Sequence, residues 1–232
     1  MLGPADYFIW FLGTFLEVGV VVCSVYRKSF KRYFFLNLYM ILSAAASAGR
    51  FLVLQHNGWD SLEYRYFYFF SDALLTIALF FGLISLYSHL FEEMGLQKYV
   101  RLGAVLLLGG TAWFSYAVVG QSTTRIFTHF AYELSQNLYF VGLILTYLLW
   151  AFILKVRETR ARLVQLVLSL GIYFSAYAAT YAVTNLNPRL SSHIGFLWPL
   201  IGCALPLAWC HAFIRLSEET RLAPSHLVAV SR

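Results

Sequence analysis

Charge is scarce in this chain. Only 12% of its 232 residues are Asp, Glu, Lys or Arg, whereas a soluble domain of this length needs about 25% to cover its surface. That deficit excludes an ordinary water-soluble globule. Cysteine is rare too: Cys23, Cys203 and Cys210 all fall within apolar runs. This leaves no disulfide framework and no CxxC metal or redox motif, and the thiols read as small packing residues. The opening "MLGPADYFIWFLG" has no basic residue ahead of its apolar run, so that run is expected to stay as a membrane helix and not to be removed as a signal peptide.

What is abundant points the same way. Hydrophobic residues make up 60% of the chain and mean hydropathy is +0.67. Aromatics reach 19%, a level that suits membrane–water interfaces. The net charge of +6 does not indicate nucleic acid, because the basic residues punctuate hydrophobic runs instead of sharing one face.

Seven apolar runs can be marked: Tyr7–Tyr26, Phe34–Leu54, Tyr66–Leu90, Val100–Val119, Phe127–Leu154, Leu163–Val183 and Ile194–Ile214. Each approaches the ~20 residues that cross a ~30 Å hydrocarbon core. Helices are the expected form, since unpaired backbone groups in lipid are too costly and no alternating barrel pattern occurs. The expectation is an all-α, polytopic protein forming one seven-helix domain, with 215–232 as a short tail.

Lys and Arg set the expected orientation. Thirteen follow runs one, three, five and seven, while the opposite side holds only Arg65, Arg125 and Arg189, with Arg50 inside a helix. The positive-inside rule then places the N-terminus outside and the C-terminus in the cytoplasm, in an inner or plasma membrane. In helix four, Gly109 and Gly110 suggest close helix packing. Pro199 and Pro206 are expected to kink helix seven.

Ionisable residues inside a membrane are costly and mark function. Four lie away from helix ends: Glu17, Arg50, Asp72 and Glu133. At 1.5 Å per residue, Arg50, Asp72 and Glu133 sit roughly 6–10 Å deep and Glu17 roughly 15 Å. Arg50 and Asp72, joined by a hairpin, are expected to pair; Glu17 near the midplane is a candidate proton-coupling carboxylate. In "THFAYELSQNLYF" (128–140), His129, Glu133, Gln136 and Asn137 share a helical face. Tyr173, Tyr177, Thr180, Tyr181 and Thr184 recur at the same spacing on helix six. Two such stripes beside Arg50 and Asp72 suggest an outward-facing polar pocket; interhelical hydrogen bonding is the alternative use of the same residues.

Histidines offer two metal readings. His56, His129 and His193 near the outer boundary would need to converge to hold zinc. His89 and His211 near the inner boundary are a candidate haem pair. No HxxxH or HExxH spacing accompanies them.

The topology resembles microbial rhodopsins in outline, but retinal is excluded because no lysine lies in helix seven: Lys28, Lys31, Lys98 and Lys155 all sit in or beside cytoplasmic loops. In length it resembles small sugar transporters of three-plus-one-plus-three helices, without their paired prolines or the Pro-Gln pair of related proteins. It is similar to membrane zinc hydrolases in helix count, without their HxxxH. It is similar in size to sensor modules fused to bacterial kinases. The expected function is non-enzymatic: binding or sensing of a small ligand, passed to a membrane or cytoplasmic partner. A structural or redox subunit of a larger complex, and a small solute transporter, are the alternatives.

Overall fold

The computed structural model describes residues 4–92, 95–119, 126–156, 160–186 and 197–216. They form seven helices: α1 (Pro4–Tyr26), α2 (Phe34–Asn57), α3 (Leu62–Leu90), α4 (Gln97–Val119), α5 (Ile126–Val156), α6 (Ala161–Leu186) and α7 (Leu197–Arg215). Six are long and apolar enough to cross a membrane. In α7 the apolar stretch Pro199–Arg215 is shorter.

The first six helices outrun the apolar runs that mark them. α2 continues to Asn57, α3 starts at Leu62 after Ser61 accepts the Tyr64 N–H at 3.1 Å, and α4 begins at Gln97. Apolarity reports the hydrocarbon, whereas the helical hydrogen-bond ladder continues into the polar boundary. Pro199 falls in the first turn of α7, where its missing N–H is harmless, and Pro206 lies inside it.

Contacts run α1–α2–α3–α5–α6–α7 and back to α1, so six helices close a ring. α4 stands outside, against α3 and α5. Leu36, Met40, Leu79, Leu83, Leu166, Phe174, Trp209 and Phe213 fill the interior with almost no exposure. Between lipid-solvated helices, packing supplies the cohesion that the hydrophobic effect supplies in water.

Small residues set the close approaches. Gly142 on α5 lies directly against the Phe174 ring of α6, and Gly13 on α1 lies against Cys203 Sγ of α7. Gly109 and Gly110 do not act this way: nothing lies within 4 Å of where their Cβ atoms would be. α4 sits outside the ring, so those glycines face outward.

Ties also cluster where the basic loops lie. Arg162, 3% exposed, donates to Ser29 Oγ at 2.7 Å and to the Leu216 carbonyl at 2.8 Å. Arg27 donates to the Ile214 carbonyl at 2.6 Å. Both guanidiniums thus sit at the C-terminus of α7, where the helix dipole favours cations.

Candidate functional site

The intramembrane polar groups form a band across α1, α2, α3 and α5. On α1, Trp10 Nε1 donates to Ser47 Oγ at 2.5 Å and Thr14 Oγ1 lies 2.7 Å from the same oxygen. One turn deeper, Ser43 Oγ donates to Glu17 Oε1 at 2.5 Å. Glu17 Oε2 is buried with no partner.

Arg50 and Asp72 do not form the expected ion pair. Arg50 Nε donates to Ser71 Oγ at 2.9 Å, its Nη2 to the Tyr68 carbonyl at 3.3 Å, and its guanidinium lies 4.4 Å from the Tyr68 ring centroid. The arginine is satisfied by the residues around Asp72 instead of by its carboxylate. Asp72 remains within electrostatic reach of Arg50, Tyr68, Tyr139, Tyr177 and Tyr181. The Ser135 hydroxyl lies beside it, outside good hydrogen-bond geometry.

The stripe on α5 divides. His129 Nε2 lies 3.8 Å from Glu133 Oε1, a pair within one helix whose side chains are 49% and 21% exposed. Glu133 therefore lies beside His129 and forms no ion pair with Arg50. Asn137 Nδ2 turns to α4 and donates to Ser115 Oγ at 3.0 Å, so it serves as interhelical glue. Gln136 Oε1 is buried without a partner. A helix turns 100° per residue, and within a ring of neighbours that rotation sends adjacent polar residues to different helices.

Tyrosines, not amides, face α6. Tyr139 of α5 stacks on Tyr177 at 4.7 Å and 14°, and Tyr132 meets Tyr181 at 5.5 Å. Tyr173 and Tyr177 are 4.5 Å apart, and Tyr39 of α2 lies 3.2 Å, oxygen to oxygen, from Tyr173. Trp209 adds an edge to Tyr39 and donates to Ser169 Oγ at 2.9 Å. Tyr173, Tyr177 and Tyr181 thus pack along α6 against Tyr39, Tyr132 and Tyr139. Tyr39, Tyr132, Tyr139 and Trp209 were missed, though Tyr132 and Tyr139 stand seven residues apart, the spacing of one helical face. Thr180 bonds to its own helix at the Ala176 carbonyl.

Two openings among the described residues lie elsewhere. One, of about 470 Å³, is a groove between α5 and α6 at Trp150, Gly171 and Ser175. The other, of about 600 Å³, lies between α2, α3 and α4.

No metal arrangement forms among the described residues, where no three His, Cys, Asp or Glu come together. His193 lies outside the described residues. His89 stacks on Tyr33 at 5.4 Å with Nδ1 2.7 Å from the Ser85 carbonyl, and His211 Nδ1 lies 2.9 Å from Gln165 Nε2. Each imidazole is held by its own neighbours.

Comparison with protein-family models, curated proteins and solved structures gives no match.

Proposed function

We propose that the chain is a non-enzymatic, seven-span membrane protein that binds a small ligand between α2, α3, α5 and α6 and passes the change to a partner. The basic loops favour an outer N-terminus and a cytoplasmic C-terminus in an inner or plasma membrane. The packing of α7 between α6 and α1 supports counting it as the seventh span.

One observation carries the binding reading. Asp72 lacks an ion pair while facing a tyrosine wall, and the unpartnered side-chain oxygens nearby are Glu17 Oε2, Ser135 Oγ and Gln136 Oε1. Unpartnered groups in a membrane interior are costly. Most of these are acceptors, so the missing component is a donor, which a ligand bearing N–H or O–H groups supplies.

The test is a thermal-shift screen of the purified protein with small polar and cationic compounds. A stabilising compound whose effect vanishes in Asp72→Asn, with the ligand-free melting temperature of that variant unchanged, supports the site. If no compound stabilises the wild type, or Asp72→Asn melts early on its own, the polar band is structural.

A second reading, a subunit of a larger membrane assembly, is favoured by the α5–α6 groove. Gly171 and Ser175, one turn apart on α6, line it beside Trp150, the small-residue surface that receives a neighbouring transmembrane helix. Stoichiometric partners surviving gentle extraction would put that reading first.

A further inference from the structure

Because α4 stands outside the ring, the groove between α2, α3 and α4 stays open at the end of the bundle where α3 finishes and α4 begins. Its lining follows helical spacing on both walls. On α3 the residues are 81, 84, 85, 88, 89 and, just past the helix, 92; on α4 they are 97, 101, 104 and 105, with Phe35 from α2. The His89 ring is held by its own helix, with Nδ1 2.7 Å from the Ser85 carbonyl.

Chemistry changes in the same direction along both walls. Phe81 and Ile84 on α3 give way to Ser88 and then Glu92; Val105 on α4 gives way to Arg101 and then Gln97. From Phe81 to the end of α3 at Leu90 is nine residues, about 14 Å. That is close to one leaflet of a ~30 Å hydrocarbon core. The groove is therefore apolar at chain depth and polar at head-group depth.

Two opposite charges face this polar end without using each other. Arg101 and Glu92 both line the groove, and neither side chain makes an ion pair or hydrogen bond among the described residues. Ser88 and Gln97 also keep their side-chain groups unengaged. A simple anionic head group would match Arg101 but meet the Glu92 carboxylate. A choline head group carries positive charge but no N–H to donate. A primary ammonium beside a phosphate satisfies both walls, since it offers three donors next to an anion.

We propose that this groove holds a phospholipid with a primary-amine head group. Its acyl chain lies against Phe81, Ile84 and Val105, its phosphate on Arg101 and Gln97, and its ammonium on Glu92 and Ser88. The site is independent of the Asp72 pocket.

Native mass spectrometry of the delipidated protein with equal amounts of dioleoyl phosphatidylethanolamine, phosphatidylcholine and phosphatidylglycerol tests this. The ethanolamine lipid is expected to be retained about tenfold over the other two, the scale of one charge-assisted hydrogen bond. Glu92→Gln is expected to erase that preference, and Arg101→Gln to weaken retention of all three lipids. Both positions are exposed, so circular dichroism of the variants should match the wild type. Equal retention of the three lipids, higher retention of phosphatidylglycerol, or a preference that survives both substitutions would overturn the proposal.

Discussion

Arg50 on α2 reaches Ser71 on α3 at 2.9 Å and covers the Tyr68 ring, passing over Asp72, the next residue in the chain. The guanidinium's direct contacts are a ring plane, a hydroxyl and a carbonyl, with no carboxylate in ion-pair contact. Arg50→Lys keeps the charge but loses that geometry. It is expected to lower stability by about 1–2 kcal/mol, read as an earlier thermal transition in detergent. An unchanged transition would show that charge alone is what the position needs.

Glu17 keeps one oxygen on Ser43 and the other on nothing. In Glu17→Gln the amide oxygen can still accept from Ser43, so stability is expected to stay within about 0.5 kcal/mol. Ser43→Ala leaves both carboxyl oxygens unpartnered and is expected to cost about 1–3 kcal/mol. A large loss in Glu17→Gln would mean that the carboxyl group itself is structurally required. Should liposomes containing the protein take up a solute, the same Glu17→Gln variant decides whether this carboxyl couples protons to transport.

Asn137 and Ser115 tie α5 to the outlying α4. Each alanine substitution is expected to cost about 0.6 kcal/mol, as typical interhelical hydrogen bonds in membranes do. The double variant should cost less than the sum of the two, because both remove one bond. Strict additivity in unfolding measurements would deny the bond its energetic role.

Gly142 has no room for a methyl group because the fully buried Phe174 ring occupies that space. Gly142→Ala is expected to destabilise by about 1–3 kcal/mol through overpacking. Adding Phe174→Leu should recover part of the loss. Gly109→Ala on α4, where nothing is near, should be neutral or mildly stabilising.

Orientation has its own check. A fluorescent protein fused after Arg232 should fluoresce in a bacterial host, and alkaline phosphatase fused there should be inactive. The reverse pattern would invert the bundle.

The polar residues show how far sequence reading reached into the site. Arg50, Asp72 and Glu17 were recognisable as interior groups because charge in an apolar run is expensive. Their partners were not recognisable. Pairing by depth joined Arg50 to Asp72, whereas the side chain closes on Ser71 and Tyr68. The shared face of His129, Glu133, Gln136 and Asn137 suggested one destination, yet Asn137 serves α4 and His129 turns to Glu133. Tyr39 gave no local signal at all, since its partner Tyr173 lies 134 residues away.

Span placement depends on a local quantity, the number of apolar residues that matches a bilayer, and so does the uneven division of Lys and Arg among the loops. Both can be read along the chain itself, and six helices long and apolar enough to cross a membrane follow from the first. The closing of six helices into a ring, the exclusion of α4 and the groove this leaves at Phe81, Glu92 and Arg101 cannot be read there. They depend on how far each helix is rotated about its axis and which neighbour it meets, and packing among residues remote in sequence decides both.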